Sequence, residues 1–280
     1  MGACKRMGYK DDEGHDGNAR WSLKRIGGIF AGLVAFVMVR ELTRDGIHLI
    51  QQKTVSDVDM EQRLEGDPNF SSGFRELKAD FPDDYHRMAS QMASMIRNGA
   101  SSDELRQAGF TSMRGFVTNH AAQIISASDN TLADIAHAQA NVANGLSSEN
   151  QHSCADFGFD GLRPDSEVGQ STIGDVAEIT RLMIHAAHEG TVNPTRRQTQ
   201  SLQDADAEAF VTALIQRGIT KDQLGLLDSE DAIQRASVFD KCKLTVAIYG
   251  SVAEMPTGRS ARVTAYMLAQ AAAARRQPAT

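Results

Sequence analysis

Two rhythms of apolar positions run along the chain. From Ile26 to Val39, fourteen consecutive residues carry no charged or strongly polar side chain. From about residue 81 onward, apolar residues instead recur every three or four positions, the spacing that places them on one face of a helix. The first pattern points to a helix that is apolar on all sides, the second to a set of helices each with a single buried face.

Helix signals punctuate the second pattern. Phe81-Pro82-Asp83-Asp84 predicts a helix start, because proline suits the first helical turn and acids suit its positive end. Met88, Met92, Met95 and Ile96 continue that helix to Gly99. Ser101-Ser102-Asp103-Glu104 is a capping box. It opens a helix whose stripe contains Met113, Phe116, Val117, His120, Ile124 and Ile125. Leu132, Ile135, Gln139, Val142 and Leu146 alternate steps of three and four, a narrow seam suited to one neighbouring helix. Ser153 to Pro164 contains Gly158 and Gly161, which predicts a loop and a boundary.

Beyond the loop, Ile173, Val176, Ala177, Met183, Ile184 and Ala187 predict a helix ending near Gly190. A polar connector from Thr191 to Gln200 precedes a helix from about Asp204 to Arg217. Asp228-Ser229 caps a helix expected to run through Val238, Leu244, Val246 and Ile248. A last alanine-rich helix follows Pro256-Thr257-Gly258 and ends near Arg276. Abundant alanine and only six prolines agree with this, since alanine enters a helix most easily and proline least.

The expected fold is therefore all-α: an N-terminal single membrane-spanning helix, then a multi-helix bundle with two similar halves. The expected organisation is a polar, disordered tail at 1–21, the hydrophobic helix and membrane anchor at 22–53, a first helical half at 54–155 and a second at 156–280. The similarity of the halves rests on one local echo. Met95-Ile96-Arg97-Asn98-Gly99-Ala100-Ser101-Ser102-Asp103-Glu104-Leu105 parallels Leu214-Ile215-Gln216-Arg217-Gly218-Ile219-Thr220-Lys221-Asp222-Gln223-Leu224. Each has a glycine stop followed by a hydroxyl cap with an acid or amide three residues on, which is also how any two helices are joined.

Fourteen apolar residues fall short of the roughly twenty that span a bilayer. The flanks extend the reach: Trp21 suits the membrane interface, and the long stems of Lys24, Arg25 and Arg40 can carry their charges outward. A membrane anchor through residues 22–42 is the expected reading. A cleaved signal peptide and a helix buried in a soluble or secreted protein are the competing ones. Val37-Met38-Val39-Arg40 lacks the small-residue cleavage pattern of the former. Gly28 and Gly32 stand four apart, a spacing that lets two membrane helices approach, so a homodimer is a candidate assembly. The small excess of cations before the run places the N-terminus in the cytoplasm and the larger part outside, in a periplasm if the cell is bacterial.

The cysteines bear on compartment. Cys4 precedes the apolar run, and Cys154 and Cys242 follow it. An even pair beyond the anchor fits one disulfide in an oxidising space; two buried thiols are the alternative. A loop of that length closed by a disulfide would contribute roughly 4–5 kcal/mol in the chain-entropy model.

A net charge of −7 argues against a general nucleic-acid binder, which needs a cationic surface. No phosphate loop, nucleophile elbow, zinc-protease pair, Cys-x-x-Cys or calcium loop occurs. The densest constellation is Glu178, Arg181, His185 and His188, which share one helix face. Two imidazoles three apart suit a metal, but Arg181 lies between them and Glu178, where it repels a cation and pairs with the acid. His120 lies beside Phe116 and Ile124, where a partly buried histidine is expected rather than a general base. Asp83 and Asp84 are explained by the helix start, and Met88, Met92 and Met95 by the core.

These features assign no cofactor, no metal and no catalytic residue. They favour a non-catalytic interaction or assembly module with an unidentified protein partner. The alternatives are a helical hydrolase using His and carboxylate groups, and a soluble or secreted helical effector.

Overall fold

The computed structural model describes residues 55–276 and is all-helical, with no strand among the described residues. Two short helices precede the first one expected from the pattern: α1 (Asp57–Glu65) and α2 (Ser71–Asp80). Ser56 starts α1 with a reciprocal capping box to Asp59. Then come α3 (Pro82–Arg97), α4 (Ser102–Asn119) and a five-residue α5 (Ala121–Ile125). The chain continues through α6 (Asp129–Glu149), α7 (Gln151–Phe159) and α8 (Gln170–Val192). The last part holds α9 (Asp204–Gln216), α10 (Lys221–Gly225), a 3-10 turn (Leu226–Asp228), α11 (Glu230–Arg235), α12 (Val238–Ala253) and α13 (Thr257–Arg276).

The centre of the bundle is α6. It packs against α7, α8, α12 and α13. Its seam residues Leu132, Ile135, Gln139, Val142 and Leu146 are all buried, but so are Ala133, Ala136, Ala138, Ala140 and Ala143. The seam predicted one neighbour. The small alanines between the seam positions make the other faces flat enough for three more helices to approach.

Around this centre sit two outlying groups. Helices α1, α2 and α3 pack on one another and reach the bundle through α2 on α8 and α3 on α4. Helix α9 packs on α12. One continuous hydrophobic core runs through both groups and the centre. Met88 and Met92 belong to it.

The expected loop at Ser153–Pro164 is corrected over its first half. Residues Gln151–Phe159 form α7, capped by the Asn150 side chain on the Ser153 N–H. Gly158 stands there for packing: a Cβ on it would lie 1.8 Å from Thr245 Oγ1 on α12. The turn comes three residues later, at Gly161 with φ +79°. The expected boundary at 155/156 thus falls inside a helix.

Two other helices end earlier than their apolar stripes imply. The helix begun at Ser102 stops at Asn119, and His120 separates it from α5. The helix begun near Ser229 stops at Arg235, and Ser237 caps α12 anew by accepting the Asp240 N–H. A stripe that keeps its period across a break cannot reveal the break.

The echo holds only at the junctions. Gly99 and Gly218 both adopt positive φ, +79° and +76°. Ala100 N–H bonds Met95 O at 3.0 Å, and Ile219 N–H bonds Leu214 O at 3.1 Å. The helices that follow differ: α4 has 18 residues and α10 has five.

The apolar run Ile26–Val39, with Gly28 and Gly32, lies outside the described residues. Among the described residues, no helix is long and apolar enough to cross a membrane.

Candidate functional site

The constellation Glu178, Arg181, His185 and His188 lies on the side of α8 that meets α2. Gly73 of α2 faces Arg181, and a Cβ there would meet the Arg181 Cα at an ordinary contact distance of 3.8 Å. Arg181 donates to Glu178 through Nε at 2.9 Å and Nη2 at 2.6 Å, the pairing expected from the spacing. Its Nη1 reaches Glu76 of α2 at 3.4 Å. His185 Nδ1 stands 2.8 Å from the other oxygen of Glu76. His188 Nδ1 stands 3.4 Å from Asp80 Oδ1. The two imidazoles thus bind two different carboxylates, rather than converging on one point. Among the described residues, no group of three or more His, Cys, Asp or Glu side chains could hold a metal ion.

The same motif recurs nearby. His120 Nε2 lies 3.1 Å from Asp84 Oδ2, and its ring packs against Phe81 and Phe116 with centroids 4.7 and 4.5 Å away. Arg87 binds the same Asp84. His86 Nδ1 lies 2.8 Å from Glu61. Lys78 bridges Glu61 and Glu65 at 3.1 and 2.6 Å, and the Tyr85 hydroxyl donates to Glu65 at 3.2 Å. Burial first, and then the charge of Glu65, pushes the Tyr85 hydroxyl above its ordinary range, so it stays a donor. Four histidines are therefore paired with acids of α1, α2 and α3. As expected, His120 is partly buried, with 21% of its side chain exposed.

A cleft of about 420 Å³ opens elsewhere, between the α6–α7 junction, the α7–α8 loop and the start of α4. Arg106, Glu149, Asn150, Asp165, Glu167 and Gly169 line it. Glu149 accepts the Gly169 N–H at 2.8 Å and the Ser171 hydroxyl, so it caps the long helix α8. Burial works to raise the Glu149 carboxyl, but the hydrogen bonds, led by Ser171, outweigh it and hold the group below the usual range. Asn150 Nδ2 donates to Glu167 at 2.9 Å, and Arg106 to Asp103 at 2.7 Å. No histidine lines this cleft. None of the four His–acid pairs contributes to the lining of this cleft.

Cys154 of α7 and Cys242 of α12 are both buried, and their Sγ atoms lie 2.05 Å apart, a disulfide distance. Their Cα atoms are 5.1 Å apart, within the span such a bridge allows. Gly28 and Gly32, the candidate helix-packing pair, lie outside the described residues.

Sequence reasoning missed the acids that complete these pairs, Glu61, Glu76 and Asp80, because their partners lie far along the chain. It also missed Asp206. This first-turn acid of α9 is buried, and Arg259 and Arg262 of α13 bind it at 3.1 and 2.6 Å. The Arg262 hydrogen bond is the main reason its carboxyl is held below the ordinary range, against burial. An acid in a first helical turn carries no mark of such a distant partner. Comparison with known proteins adds no relative: no family model, curated protein or solved structure matches the chain.

Proposed function

We propose that this chain is a membrane-anchored helical protein whose body binds another protein, with residues 22–42 as the anchor and the body on an oxidising side. The observation that carries this reading is the Cys154–Cys242 pair at disulfide distance, since stable disulfides belong to oxidising spaces. The apolar run Ile26–Val39, with cations at both ends, supplies the anchor. The commitment of His86, His120, His185 and His188 to interhelical pairs supports an interaction module over a hydrolase. Gly28 and Gly32 would let two anchors pack, giving a homodimer.

Membrane fractionation with a carbonate wash, combined with protease accessibility in intact cells, tests anchor and side together. Retention in the washed membrane with an externally cleavable body supports the reading. Release by carbonate overturns the anchor and leaves a soluble or secreted helical protein. Mass mapping without reductant should find a Cys154–Cys242 peptide, and free thiols there would remove the argument for the compartment.

A further inference from the structure

Four of the six histidines among the described residues face a carboxylate, and every one of those carboxylates belongs to α1, α2 or α3. Three of the pairs cross from this N-terminal group to the rest of the bundle. His185 and His188 of α8 reach Glu76 and Asp80 of α2, and His120 reaches Asp84 of α3. The fourth, His86 with Glu61, ties α3 to α1 within the group. We propose that the α1–α3 group docks on the bundle in a proton-dependent way, held more tightly when His185, His188 and His120 are protonated.

The physical basis is charge. Imidazole gains a proton between roughly pH 8 and pH 5, while carboxylates stay ionised down to about pH 4. Between these limits each pair gains an attraction that the neutral ring lacks. The side chains of His185 and His188 are 45% and 43% exposed, so protons reach them without unfolding.

The surrounding charges set how much each pair responds. Glu76 is shared between His185 and the permanent cation Arg181, so that contact survives deprotonation in part. Glu189, one turn along α8, adds negative charge near His185 while bound by Thr131 at 2.6 Å and the Ser128 N–H of α6. Asp84 is likewise shared between His120 and Arg87. Lys78 of α2 is committed to Glu61 and Glu65, and Arg75 is exposed. Helix α5, which also packs on α8, is Ala-Ala-Gln-Ile-Ile and brings no ionisable group. Asp80 meets His188, and no lysine or arginine pairs with it among the described residues. Of the three pairs that cross to the bundle, His188–Asp80 is thus the one whose carboxylate has no second cation beside it.

Hydrogen exchange of the full chain at pH 5.5 and pH 8.0, each referred to unstructured-peptide rates at that pH, tests the idea. Amides of α2 should lose protection by roughly three- to tenfold at the higher pH, relative to those of α12 in the same molecule. The double variant H185N/H188N should lose most of that difference. His137 and His152 remain in it and serve as the control. The reciprocal variant E76Q/D80N should also flatten the profile, and it covers the case in which the histidine variant misfolds. An unchanged difference in a folded variant of either kind overturns the proposal. So does a wild-type chain whose α2 and α12 respond alike.

Discussion

The two outlying groups of helices are fastened to α6 and its neighbours by different physics. On the C-terminal side, α7 and α12, which both flank α6, hold Cys154 and Cys242 at disulfide distance, and the outlying α9 is tied to α13 by buried Asp206. On the N-terminal side, α2 meets α8 through pairs whose side chains are 19–45% exposed. Exposed pairs contribute about 0.2–1 kcal/mol each, whereas a bridge closing a long loop contributes several times that. Since one hydrophobic core runs through both sides, the contrast in these added fastenings predicts that the α1–α3 side opens before the side of α7, α12 and α13.

Removing the bridge should produce the largest effect. C154A/C242A is expected to cost about 4 kcal/mol in urea unfolding, since the residues are 88 apart in sequence. A loss below about 1 kcal/mol would erase the contrast between the two sides.

Asp206 comes second. D206A should cost about 2–3 kcal/mol, below the full cost of breaking a buried pair because the guanidinium groups it leaves are 36% and 40% exposed. The sign with pH follows from its depressed carboxyl. Its contribution is complete above the ordinary carboxylate range, near about pH 4, and is lost as the pH falls through the lower folded value. Acid unfolding of wild type should therefore contain a step below about pH 4 that D206A lacks.

Smaller changes probe the weaker side. S56A removes the cap of α1 and should cost about 1 kcal/mol. Its exchange signature should stay within α1–α3, with α12 unaffected. E76Q should cost about 0.5 kcal/mol and likewise loosen α2 alone, measured by exchange at fixed pH. Global destabilisation by either would mean that the N-terminal group is not an independent opening unit.

Local chemistry was legible along the chain, and distant chemistry was not. The boxes at Ser101–Glu104 and Thr220–Gln223 form as their residues require. Yet one opens a helix of 18 residues and the other a helix of five, because a cap starts a helix without setting its length. Gly158 looked like a turn and is a contact, since only the arrival of Thr245 tells the two uses apart. The Glu178–Arg181 pair was readable at a spacing of three, but Glu76 completes it from 105 residues away.

A Cys154–Cys242 bond has a topological corollary. Once formed, it would close residues 154–242 into a covalent ring, with the exposed stretch from Thr191 to Arg196 inside it. A tryptic nick after Arg196 would cut the backbone without separating the pieces, which would travel together on a gel until a reductant released them. Damage at that connector would leave a molecule whose two fragments remain leashed side by side.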